Sequence, residues 1–173
     1  MVPTNRNISV GYHHPMPRTA FRFSTLLLLT LLCATASEKR IVYPKEFSVG
    51  RPNSPGVLVG GTLYVSGQMG RDLKTGKLPA TFQAEVQMCL KNIQFILREA
   101  HMKWDDVVSM QVYLTDLNQI DELNAVLSQY LKLNRPARTT VGVSGLVGGG
   151  HVEISLVAYD EKAQFLPMHV EPH

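Results

Sequence analysis

Two charged residues near the end of the chain carry the clearest chemical signal. Arg138 sits in Arg135-Pro136-Ala137-Arg138-Thr139-Thr140-Val141, and Glu153 follows in His151-Val152-Glu153-Ile154-Ser155-Leu156-Val157-Ala158-Tyr159. Both stretches are rich in β-branched residues and read as strands. A guanidinium is a planar fork that fits a carboxylate with two parallel hydrogen bonds. A carboxylate nearby can position or deprotonate an attacking water. The pair is therefore equipped to hold a small carboxylate and hydrolyse something attached to it. Arg and Glu on neighbouring strands also make ordinary ion pairs, so spacing alone leaves both readings open.

The elements that must position them follow from the pattern. Val57 to Val59 and Thr62 to Val65 flank Gly60-Gly61, a hairpin signature. Ser66-Gly67-Gln68 ends the second strand, and Lys74-Thr75-Gly76-Lys77 is a turn. From 81 to 100, Phe82, Val86, Leu90, Ile93, Leu97 and Ala100 recur at helical steps. Val108, Met110, Val112 and Leu114 alternate with polar residues as in a half-buried strand. Asp116 is the expected cap of a second helix running to about Leu131, with Ile120, Leu123, Leu127 and Tyr130 inward. Two last strands, 139–143 and 152–159, are joined through Gly148-Gly149-Gly150. The order is ββαβαββ, an α+β arrangement with two helices on one face of a mostly antiparallel sheet. Alternation puts Arg138, Thr140 and Gly142 on one side of their strand. Leu63, Val65 and Val157 are expected near the uncovered face, where a partner subunit would bury them.

Composition limits the possibilities. The formal charge of +3 comes entirely from Arg6, Arg18 and Arg22, because residues 38–173 hold 14 basic and 14 acidic side chains. A neutral body lacks the electrostatic footprint of a nucleic-acid binder. Arg18 and Arg22, the Leu26–Leu32 run and Ala34-Thr35-Ala36 read as a secretory signal peptide cleaved near Ser37 or Glu38. This divides the chain into a leader, 1–37, and one domain, 38–173. It predicts an exported protein, periplasmic or secreted, without a stable membrane anchor; a mitochondrial presequence is the alternative. Met16 is a second possible start, and Cys33 a less suitable lipoprotein site. Processing would leave Cys89 as the one thiol, read as a buried small hydrophobe. His151 and Glu153 are read as facing opposite ways with no third ligand, so no metal site is expected. Trp104 is read as an anchor for the connection after the first helix. Asn124 is read as a structural hydrogen-bonder within the second.

Five segments in register resemble the reactive intermediate deaminase family, also called RidA or YjgF. They are Gly61-Thr62-Leu63-Tyr64-Val65-Ser66-Gly67-Gln68, Lys74-Thr75-Gly76-Lys77-Leu78-Pro79-Ala80, Leu123-Asn124-Ala125, Arg135-Pro136-Ala137-Arg138 and Val152-Glu153-Ile154. The resemblance spans roughly residues 45–161. It implies a chorismate-mutase-like homotrimer with sites in the clefts between subunits. It also implies cofactor-free hydrolysis of enamine and imine acids (2-iminoalkanoates) to 2-keto acids and ammonia. On that resemblance Arg138, Glu153 and Ser66 are the catalytic residues, Arg138 taking the substrate carboxylate and Glu153 directing water, and Gly67, Thr140 and Asn53 join Arg138 in substrate binding. The chain departs from the family at three places. Arg51-Pro52-Asn53 stands where Gly-Pro-Tyr is usual, so Asn53 replaces a Tyr that reaches the site. Thr140 occupies a position where many members have Cys. Leu146-Val147-Gly148-Gly149-Gly150 replaces a loop usually holding Leu-Pro and a charge. These changes bear on substrate range. The alternative is a non-catalytic exported trimer binding small carboxylates or protein clients. An endoribonuclease, reported for some relatives, is disfavoured by the neutral body.

Overall fold

A computed structural model describes residues 38–165 apart from Val49 and Arg51. The leader, its cleavage site and the segment after 165 lie outside the described residues. Eight regular elements follow one another: β1 (Arg40–Val42), β2 (Gly56–Val59), β3 (Thr62–Met69), α1 (Phe82–Glu99), β4 (Val107–Leu114), α2 (Ile120–Tyr130), β5 (Ala137–Gly142) and β6 (Val152–Tyr159). The six strands form one sheet in the order β1-β2-β3-β6-β4-β5. All neighbours are antiparallel except β4 and β5, which run parallel with α2 in the crossover. The fold is α+β, and the expected ββαβαββ gains one short edge strand at its start. Among the described residues no helix is long and apolar enough to cross a membrane.

Local chemistry explains most boundaries. Gly60 and Gly61 have φ of 57° and 76°, the left-handed pair that a two-residue hairpin turn requires. Thr81 caps α1, its hydroxyl accepting from the Ala84 N–H at 3.2 Å. Asp116 caps a single 3₁₀ turn, Leu117–Gln119, through the Asn118 N–H, and α2 begins only after that turn. Trp104 packs edge-on to Tyr130, ring centres 5.3 Å apart, tying the link after α1 to the end of α2.

The core lies between α1 and the face of the sheet carrying Leu58, Leu63, Val65, Met110, Val112, Ile154 and Leu156. Every residue expected on the inner stripe of α1 is buried there, including Val86, Leu90, Ile93 and Leu97. Each large side chain so buried contributes about 1.5–3 kcal/mol. One expectation is corrected. Leu63 and Val65 belong to this covered face, whereas Tyr64 and Val157, paired across β3 and β6, lie on the open one. Residues 63–66 alternate between two sides that both carry bulky groups, so the pattern does not say which side is inward. The open face continues with Gln111 opposite Ser155 and Tyr113 opposite Glu153.

Candidate functional site

Glu153 is held at the start of β6, paired in register with Tyr113 on β4 and Met69 on β3. The β3 ladder slips between Val65 and Gln68, so Gly67 bulges beneath the carboxylate. A Cβ on Gly67 would overlap Oε1 of Glu153 and lie 2.8 Å from its Cδ. Only glycine leaves room for the acid here. Glu153 is half-buried, and among the described residues nothing donates to its carboxylate. Its oxygens are left for water or a ligand.

Ser66 stands beside the bulge with its hydroxyl already committed. It donates to the Pro55 carbonyl at 3.1 Å and accepts from the Gln68 amide at 3.0 Å. Its backbone N–H also bonds to Pro55. The side chain ties the end of β3 to the segment before β2, and no base touches it. Asn53 lies in that preceding segment and is exposed.

Arg138 and Thr140 occupy β5, opposite Met110 and Val112 of β4. Those partners are core residues, so both side chains leave the sheet on its helix side. Nη1 of Arg138 donates to Oδ1 of Asn124 on α2 at 2.9 Å. Asn124 is thus a structural hydrogen-bonder, as expected, and its partner is the guanidinium on the neighbouring strand. The rest of the Arg138 fork is unengaged among the described residues, and the Arg is exposed. The Thr140 hydroxyl oxygen is buried and has no partner. Asn124, Leu127, Ser128, Leu131, Arg135 and Arg138 surround an open groove of about 580 Å³.

The predicted residues therefore form two groups. Ser66, Gly67 and Glu153 meet on the open face, while Arg138 and Thr140 lie on the other. Two strand spacings and a three-residue offset separate Glu153 from Arg138, roughly 14 Å between Cα atoms through the sheet. A single copy of the chain does not bring both to one small molecule.

A third group was missed by sequence reasoning. Glu85 of α1 is buried and its Oε1 accepts from the His151 N–H at 2.7 Å and the Val152 N–H at 3.3 Å. Its Oε2 lies 2.8 Å from His151 Nδ1. His151 precedes β6 and turns toward α1, so it does face away from Glu153, for a reason alternation does not supply. Asn92 donates to the Met69 and Arg71 carbonyls at 3.1 and 2.9 Å, and Cys89 Sγ to the Gln68 carbonyl at 3.0 Å. Arg71 in turn donates to the Gly148 carbonyl. These bonds fix the ends of β3 and β6, and with them Gly67 and Glu153. The signal was present: Glu85 and Asn92 fall on the apolar stripe of α1, where an unpartnered polar residue would be costly. Burial pushes the Cys89 thiol far above its ordinary range, so it does no thiolate chemistry.

The fold and these residues define an α+β domain of the RidA type. The family described as Endoribonuclease L-PSP matches residues 45–160, and the chain belongs to this L-PSP, YjgF or RidA family. A RutC family protein of Aquifex aeolicus is 41% identical over 122 residues, covering 69% of this chain and 98% of that one. The human 2-iminobutanoate/2-iminopropanoate deaminase is 40% identical over 108 residues, 62% of this chain and 79% of its own. The crystal structure of RidA from an Antarctic Psychrobacter has a TM-score of 0.66 at 36% identity, covering 70% of this chain and all of that one.

Proposed function

We propose that the protein is a cofactor-independent deaminase that hydrolyses 2-imino acids to 2-keto acids and ammonia, at sites shared between subunits of a homotrimer. The observation that carries this reading is the separation of Arg138 and Glu153 onto opposite faces, each with unused hydrogen-bonding capacity. Two such half-sites make a whole one when the β5 edge of one copy meets the open face of another. That open face carries Tyr64 and Val157 and is the surface a second copy would bury.

In the joined site the Arg138 fork takes the substrate carboxylate, with Asn124 holding the guanidinium still. The Thr140 hydroxyl, two residues on along the same strand face, gains a partner in the substrate. Glu153 accepts a proton from water as its oxygen bonds to the imine carbon and the C–N π electrons move to nitrogen. The carboxyl returns that proton to nitrogen to give a carbinolamine. Glu153 then takes the hydroxyl proton and passes it to the same nitrogen as the C–O π bond forms and the C–N bond breaks, so ammonia leaves behind a ketone. Ser66 positions the β3 bulge, and Asn53 borders that end of the sheet. Deaminases of this type are named among the relatives at about 40% identity. Export through the leader is part of the same proposal.

The test is direct. An amino-acid dehydratase or oxidase generates 2-iminobutanoate in the presence of purified protein, and semicarbazide traps whatever imine remains. Catalytic amounts should suppress trapping and speed ketoacid release. A protein that binds 2-oxobutanoate through Arg138 but leaves imine lifetime unchanged would be a binding trimer instead.

A further inference from the structure

We infer that the groove beside Arg138 is a second anion subsite and that the preferred imino acid carries an acidic side chain; this deepens the deaminase reading and rests on it. Arg135 and Arg138 line the same groove, and none of its lining residues is acidic. Among the described residues no acidic side chain pairs with Arg135 or Arg138, so neither arginine of the groove is neutralised. A 2-imino acid with an apolar side chain offers one carboxylate and engages one guanidinium. Two uncompensated guanidiniums in one groove are matched by a ligand of charge −2.

The other walls set the size and character of that ligand. Leu127 and Leu131 give an apolar flank suited to one or two methylenes, and Ser128 and Asn124 add polar groups at the rim. Pro136 restricts the backbone of Arg135 to extended conformations, which limits where its guanidinium can swing. The ligand this describes is a short dicarboxylate. The substrate class is therefore the imine of a dicarboxylic amino acid, its α-carboxylate on Arg138 and its side-chain carboxylate on Arg135. The reaction feeding such a site would be an oxidation of acidic amino acids at the α-carbon.

The experiment compares two imines, made from L-glutamate and from L-2-aminobutanoate by amino-acid oxidases, with the full-length protein. Wild type should favour the dicarboxylic imine in kcat/KM by about tenfold or more, the worth of one charge-assisted contact. Arg135→Gln should collapse the ratio of the two values toward one. Arg135→Lys should keep part of it, because the charge survives without the fork. A wild-type ratio near one, or a preference that Arg135→Gln leaves intact, overturns the subsite. If wild type hydrolyses neither imine, the deaminase reading falls, and calorimetry with 2-oxoglutarate and 2-oxobutanoate decides the subsite separately. Tighter binding of 2-oxoglutarate that is lost in Arg135→Gln upholds it, and equal binding sinks it.

Discussion

The two flanks of β4 are built differently. On one side β4 pairs antiparallel with β6, which is buried at every second residue and strapped at its start by Glu85. On the other it pairs parallel with β5, whose residues are exposed except for the half-buried Thr140. The β6 flank holds Glu153 over Gly67 in a shape that leaves no room for an added methyl. The β5 flank holds Arg138 through a single bond to Asn124 and leaves Val141 open to solvent. The fold thus fixes Glu153 within a closed part of the sheet and leaves Arg138 beside the unpaired edge of β5. Exposed strand edges invite pairing or cover, and the proposed assembly would supply it.

The largest effect should come from separating the flanks genetically. Arg138→Ala and Glu153→Gln should each lower kcat/KM for imine hydrolysis by roughly a hundredfold or more, since each removes a contact to a charged group in a shielded cleft. Mixed and reassembled, the two inactive variants should recover about a quarter of wild-type activity, because one site in four then draws both functional residues from different subunits. No recovery in hybrids proven by mass spectrometry would place both residues in one subunit's site, against the geometry above.

Next comes the strap. Glu85→Ala leaves the His151 and Val152 N–H groups without their acceptor and should cost about 2–4 kcal/mol of stability. Urea unfolding at fixed protein concentration should show a lower midpoint with the slope unchanged. Glu85→Gln keeps one acceptor oxygen and should cost about half as much. If the alanine variant is as stable as wild type, β6 is not held from α1.

The smallest effect tests the fit over the bulge. Gly67→Ala should displace the Glu153 carboxylate and lower kcat by about tenfold, with little change in ketoacid affinity. A loss confined to KM would assign Gly67 to substrate binding instead of to placing the acid.

How far this was legible depended on how local each cause was. The period of α1, the Gly60-Gly61 turn and the alternation of β4 from Met110 to Leu114 are written in adjacent residues and appear as expected. Val108, expected inward, is instead exposed at a register shift that buries Val107. The facing of Leu63 and Val65 was not legible, because both sides of β3 carry bulky residues and the bulge then changes its phase. Arg40–Val42 is too short and too close to proline to announce a strand. Arg138, Thr140, Glu153, Ser66 and Gly67 could be named from motifs, but their division between two faces depends on the parallel pairing of β5, a non-local choice. The Glu85–His151 contact joins residues 66 positions apart.

Cys89 offers a practical consequence. Its sulfur is wholly enclosed beneath β3 and bonded to the Gln68 carbonyl. A thiol reagent can reach it only when α1 parts from the sheet, so its labelling rate measures how often that opening occurs. Peptide mapping separates this signal from any at Cys33. The residue thus serves as a built-in clock for breathing of the same helix that anchors Glu85, readable without a dye, a tag or a substitution.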